Sequence, residues 1–237
     1  MNHKPGGILN HQVRHVVIEL ACHAPFTALG TLLGIAMVAP LILYVPLGEV
    51  HEVVFHVLHP LHMFLSALAT AAIYYKHRRK TVDALIVGVV GSLGICSLSD
   101  IFFPYLGGMA LGIEGLELHV CLIKHPWLVV PPAVVGSMLA LPLASRNENP
   151  SFIPHGGHVM VSVLASLTYL SAYANPLTLL SNYALHTFLV VFLAVLLPCC
   201  TSDIILPIAA LGKHSYEHEH VCWVPLLRTL RRHEAKT

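Results

Sequence analysis

In 237 residues only 11% are charged and 56% are hydrophobic, and the mean hydropathy is +0.73. That balance cannot clothe a soluble globule of this size in polar surface, so most of the chain is expected to face lipid. A net charge of +1 and a pI near 7.8 offer no basic face for phosphates, which sets nucleic acid aside as a partner.

Taken in chain order, the first feature is a stretch at 8–22 in which Ile8, Leu9, Val13, Val16, Val17 and Leu20 recur at helical spacing, opposed by His11, Arg14 and His15. This reads as an interfacial helix. Apolar runs able to cross ~30 Å of hydrocarbon, about 20 residues each, follow at 25–46, 59–76, 83–105, 126–145, 157–174 and 183–210. The first is too long for a signal-peptide core, and Glu19 interrupts the basic leader such a peptide needs, so it is read as a mature helix. A second short interfacial stretch, 116–123, precedes the fourth run.

Charge asymmetry tests the count. With both termini cytoplasmic, Lys4, Arg14, Lys76, Arg78, Arg79, Lys80, Arg146, Lys213, Arg228, Arg231, Arg232 and Lys236 lie inside, and Lys124 alone lies outside. An odd number of spans would carry the basic tail to the other face and spoil the positive-inside pattern.

The chain also repeats itself. Cys96, Ser99, Asp100, Ile101 and Pro104 reappear with identical spacing as Cys199, Ser202, Asp203, Ile204 and Pro207. Upstream, His59 and His62 match His155 and His158, Ser66 matches Ser162, and Leu68-Ala69 matches Leu164-Ala165. Weaker matches, Gly34 with Gly136 and Pro40 with Pro142, keep the order. Three spans per half is an odd number, so the second half enters the membrane from the opposite side and the repeats are inverted. The expected fold is an all-α integral membrane protein of six transmembrane helices in two inverted three-helix repeats, each preceded by a short interfacial helix. Its divisions are a cytoplasmic interfacial helix at 1–24, repeat 1 at 25–108, an extracytoplasmic connector at 109–125, repeat 2 at 126–212 and a cytoplasmic histidine-rich tail at 213–237.

A carboxylate well inside a span costs about 2.5–3.5 kcal/mol on insertion scales and is normally kept for a proton or a cation. Asp100 and Asp203 are therefore the sharpest candidates. Cys96 and Cys199 each lie four residues earlier, on the same helical face, with Ser99 and Ser202 beside them. Pro104 and Pro207 lack the N–H that would bond the carbonyl of Asp100 or Asp203, leaving further oxygen ligands. Sulfur, nitrogen and oxygen together favour a transition metal, zinc above all, over magnesium or calcium. Each aspartate could instead bond nearby backbone and each cysteine act as a small hydrophobe, but duplication with the aspartate kept weighs toward function. The six cysteines show no framework spacing and read as thiols rather than staples.

Eighteen histidines are too many to ignore in so apolar a chain. His51, Glu52, His56, His59 and His62 run into the second span, and His155 with His158 open the fifth from the other side, as histidine gates at the two faces. In the tail, His214 and His218 lie one turn apart and suit loose metal binding.

The expectation from these residues is a transporter rather than an enzyme, moving a zinc-like divalent cation by alternating access, with protons as a coupling ion. The metal set is Asp100, Asp203, Cys96, Cys199, His59, His62, His155 and His158, with Glu52, His56, His214 and His218 as additional ligands and Ser99, Ser202, Pro104 and Pro207 in support. The alternatives are a membrane redox protein with paired histidines on haem, and an intramembrane metal-dependent hydrolase. The expected partners are the lipid bilayer and the metal cation, a homo-oligomer being compatible with such a chain, and the expected location is a prokaryotic inner membrane.

Overall fold

The computed structural model describes residues 5–45, 48–113, 115–146 and 152–200, and no strand occurs among them. Helix is the form such a sequence must take in lipid, because each backbone N–H and C=O finds its partner within the segment. Helix α1 runs Pro5–Tyr44 and α2 runs Gly48–Arg78. Helix α3 spans Thr81–Ala110 and passes through a π-turn at Leu98–Phe102. A single turn α4, Cys121–Lys124, precedes α5, Pro126–Arg146. Helix α6 is Phe152–Tyr173, α7 is the short Pro176–Ser181, and α8 runs from Ala184 into a second π-turn, Leu196–Cys200.

Among the described residues, four helical stretches are long and apolar enough to cross a membrane: Leu20–Tyr44, Glu49–Arg78, Thr81–Ala110 and Pro126–Ser145. Of the two remaining stretches read as spans, α6 has 22 residues, and Ala184–Cys199 is a shorter apolar helix whose run beyond residue 200 lies outside the described residues. The second span begins well before residue 59, because His51 and Phe55 face inward and are fully buried.

Three expectations are corrected. The stretch 8–22 is not a separate interfacial helix: it continues without a break into the first apolar span as one 40-residue helix, with Pro25 accommodated inside it. The connector before α5 is mostly non-helical, its backbone held to α6 by bonds from Glu117 N to Tyr173 O (3.4 Å) and from the Tyr169 hydroxyl to Glu117 O (2.9 Å). Cys22 is disulfide-bonded, whereas Cys96, Cys121 and Cys199 are thiols.

Helix α2 is the centre of the bundle and packs against α3, α5 and α6. Its contacts with α3 and α5 are made through small residues, since lipid supplies no hydrophobic drive between helices and close approach must supply dispersion instead. A Cβ on Gly136 of α5 would run into the Phe64 backbone carbonyl of α2, and one on Gly88 of α3 would meet Ala71 and Ser137. On the other side of α6, Val38 and Ile42 of α1 pack with Val163, Leu167, Val191 and Val195. Outward positions such as Met37, Val57 and Val90, each 60% exposed or more, form the face left for lipid.

Candidate functional site

The inward stripe of α2 carries His51, Phe55, His59, His62, Met63 and Ser66, all buried. His59 lies 11 residues, ~16 Å at 1.5 Å per residue, below the start of α2 at Gly48, near the middle of the bundle. Opposite it, the π-turn of α3 presents Asp100. There the Phe103 N–H bonds back five residues to Leu98 O, and the following residue, Pro104, has no N–H to give. In that widened register the carbonyl deprived of its bond is Ser99, not Asp100 as an α-helical count had it. The Ser166 hydroxyl of α6 lies 3.1 Å from Ser99 O and shares its one hydrogen between that carbonyl and Ser162 O at 2.8 Å. π-turns inside α-helices occur often at functional sites because the extra residue re-aims a side chain.

Asp100 is fully buried and accepts from four donors. His59 Nδ1 and His62 Nδ1 each lie 2.8 Å from Oδ2, and the hydroxyls of Ser99 and Ser162 each lie 2.8 Å from Oδ1. An ionised carboxylate only accepts, so both rings carry hydrogen on Nδ1 and, when neutral, keep their lone pairs on Nε2. The His62 Nε2 atom is 3.7 Å from the Cys199 sulfur, and Ser162 bridges toward the same thiol at 3.4 Å. Cys96 is fully buried, and the His158 ring stands 5.6 Å from the His62 ring, centroid to centroid. His59 Nε2 is buried without a hydrogen-bond partner among the described residues, its ring stacked on Phe55 at 5.2 Å. His59, His62 and His158 are thus not gates at two faces; they meet in the interior, with at most 1% of their surface exposed.

The sequence-read ligands therefore divide. His59, His62, Cys96, Cys199, His158, Asp100, Ser99 and Pro104 are gathered into one buried centre. His56 and Glu52 are not part of it. His51 is a structural clamp, bonded through Nδ1 to the Ser171 hydroxyl (2.7 Å) and through Nε2 to Val45 O (2.8 Å). Asp203, Ser202, Pro207, His214, His218 and the side chain of His155 lie outside the described residues.

A second group forms about one turn nearer the start of α2. His56, His119 and His125 bring one ring nitrogen each to within 4.8 Å of one another and could hold a metal ion. The His56 and His119 Nε2 atoms are 3.2 Å apart. The His119 ring lies between Tyr173 (4.8 Å, 18°) and His125 (5.4 Å, 24°), and its backbone N–H points to the Tyr169 hydroxyl at 3.4 Å. Tyr173 in turn donates to Glu52 at 3.0 Å, which holds that carboxylate as a brace on the aromatic wall. Burial, then the Lys124 ammonium and His56, hold His119 down to about 4, so its imidazole is neutral at pH 7 and has a lone pair to offer. Burial pushes the nearby Cys121 thiol up to about 12, reinforced by Asp100 and Glu52.

Sequence reasoning missed His119 and His125 as a pair, and Ser162 and Ser166 as donors to the Asp100 turn. The signal was faint for each: the histidines sit in a connector without periodicity, and Ser162 stood out only as the repeat partner of Ser66. Compared with protein-family models, with curated proteins and with solved structures, the chain gives no match.

Proposed function

We propose that this chain is a six-span membrane transporter for a divalent transition-metal cation of the zinc type, and that the buried centre between α2, α3, α6 and α8 is its transit site. The observation that carries the reading is the pair of histidines on one carboxylate. Asp100 takes the Nδ1 hydrogens of His59 and His62 and leaves their Nε2 lone pairs to a metal, the arrangement by which outer carboxylates orient imidazole ligands and raise their basicity. A tetrahedral zinc with N at ~2.05 Å and S at ~2.3 Å separates the two donors by about 3.6 Å, and His62 Nε2 to Cys199 Sγ is 3.7 Å. In this role Asp100 positions the ligands, since four donors already occupy its oxygens. His62 and Cys199 are the two donors already at metal-bridging distance, and the reading assigns His59 and Cys96 to close on the ion when it loads.

Inverted repeats and alternating access are supported by reciprocal contacts between the halves. Gly136 of the second half approaches Ala67 of the first, and Gly34 of the first approaches Val163 of the second. Gly34 matches Gly136, and Val163 stands at the same offset from His158 as Ala67 does from His62, so the two contacts exchange under the repeat. His62 meeting Cys199 and Ser162 meeting Asp100 likewise cross from one half to the other. The reading gives Asp203 the corresponding duty toward His155 and His158, and places both termini on the cytoplasmic side. A cysteine must lose its proton to bind metal, so loading releases protons and unloading takes them up, which is the chemical basis for proton coupling.

The test is zinc flux into proteoliposomes carrying a trapped fluorescent indicator. The wild-type chain should pass zinc, and Asp100→Asn with Asp203→Asn should slow it by about 10–100-fold, the range for loss of an outer carboxylate. Undiminished flux in the double variant would remove the claim.

A further inference from the structure

We propose that His56, His119 and His125 form a second, exchangeable site for a borderline divalent cation such as zinc or cobalt(II), and that Lys124 holds its affinity down. The proposal stands independently of whether the buried centre binds metal.

The three imidazoles come from three separate places: α2, the connector before α4, and the residue between α4 and α5. The connector is tied to α6 at Glu117 and His119, so convergence is built into the fold and is not a chance meeting of mobile side chains. Two nitrogens on a tetrahedral zinc at ~2.05 Å are about 3.3 Å apart, and the His56 and His119 Nε2 atoms are already at 3.2 Å. Three histidines leave a fourth position open, which suits exchange with water or an incoming ligand. Beside the site stands Trp127, 69% exposed and edge-on to His125, the kind of aromatic found at membrane boundaries.

What sets this site apart is its outer partner. A metal-bound histidine commonly gives its second N–H to a carboxylate or carbonyl, which raises its basicity. Here the His119 Nδ1 atom faces the Lys124 ammonium at 3.5 Å. An ammonium only donates, so this contact requires the Nδ1 lone pair and places the ring hydrogen on Nε2, where it points at His56. Metal binding at Nε2 forces that hydrogen onto Nδ1, against the ammonium, and brings a dication near a cation. Lys124 therefore opposes loading twice, through the ring's hydrogen and through charge. Weak binding is what a docking site beside a deeper one needs, and His56 lies three residues from His59 on the same helix.

Cobalt(II) titration of the full chain in detergent tests this. Imidazole ligands give ligand-field bands alone, whereas a cysteine ligand in the buried centre adds a thiolate-to-cobalt charge-transfer band. Lys124→Gln should tighten the class lacking the thiolate band by about tenfold, the lower end of outer-partner effects, and leave the thiolate-bearing class as it was. His119→Gln or the more exposed His125→Gln should abolish the first class in the Lys124→Gln background. Unchanged or weaker cobalt binding in Lys124→Gln, or persistence of the histidine-only class in both histidine variants, would overturn the proposal. Loss of the thiolate band alone would instead count against the buried centre.

Discussion

Replacing Asp100 by Asn probes the buried centre with the smallest possible change of shape. The carboxylate accepts from two ring nitrogens at Oδ2 and two hydroxyls at Oδ1, each at 2.8 Å. Asn keeps one carbonyl oxygen, which can still receive the histidines, and its NH2 then faces Ser99 and Ser162. Those hydroxyls can turn, Ser99 toward Cys96 O at 3.3 Å, so they need not be orphaned. The loss is mainly that two charge-assisted bonds of roughly 1.5–3 kcal/mol become neutral bonds of about 0.5–1.5 kcal/mol, a destabilisation of about 2–3 kcal/mol in all. Zinc affinity should fall by about 10–100-fold, equivalent to about 1.4–2.8 kcal/mol, because the rings keep their places but lose basicity. Isothermal titration of zinc into purified protein measures this, with thermal unfolding in the same detergent as the check on fold. Equal or tighter zinc binding in a folded Asp100→Asn protein would refute the assignment of Asp100 as the partner that orients His59 and His62.

Other expectations follow from single contacts. Cys199→Ser should weaken the thiolate-to-cobalt band, and Cys199→Ser with Cys96→Ser should remove it, while the helical circular dichroism stays intact, since serine fills nearly the same space beside His62 and Ser162. Ser166→Ala withdraws the donor from Ser99 O at the π-turn and should cost about 1–3 kcal/mol, read as a lower melting temperature; an unchanged melt would show that the turn does not depend on it. Gly136→Val would press a branched side chain against the α2 backbone at Phe64, and overpacking of this kind costs about 1–3 kcal/mol or more; a variant as stable as wild type would mean that α2 and α5 are not in the close contact described.

Much of the fold was readable in the sequence because lipid imposes one rule: long apolar helices with internally satisfied backbones. Where the reading slipped, a residue's surroundings were decided by its neighbours across space. The second span looked short because His51, Glu52 and His56 lower its hydropathy, yet His51 points inward to Ser171 and the helix runs straight through. The interfacial stretch in α1 ended at no marker that breaks a helix, and none is broken. At the site, the repeat singled out Asp100, Cys199 and the paired histidines by chemistry alone. Their surroundings were not legible: Asp100 looked like a ligand, and only the convergence of four donors from α2, α3 and α6 shows its oxygens already occupied. The one-residue shift from Asp100 to Ser99 as the carbonyl freed by Pro104 depends on a π-turn that no spacing announces. His119 and His125 remained invisible as a pair because contact between a connector and a helix has no period.

The central claim is that nitrogen from α2 and sulfur from α8 share one metal in the interior. X-ray absorption at the zinc edge, on protein loaded with one equivalent, addresses it directly. The account predicts a mixed shell with at least one sulfur at ~2.3 Å beside nitrogens at ~2.0–2.1 Å, and loss of the sulfur shell in Cys199→Ser with Cys96→Ser. A shell of nitrogen and oxygen only in the wild-type protein at that stoichiometry would contradict it.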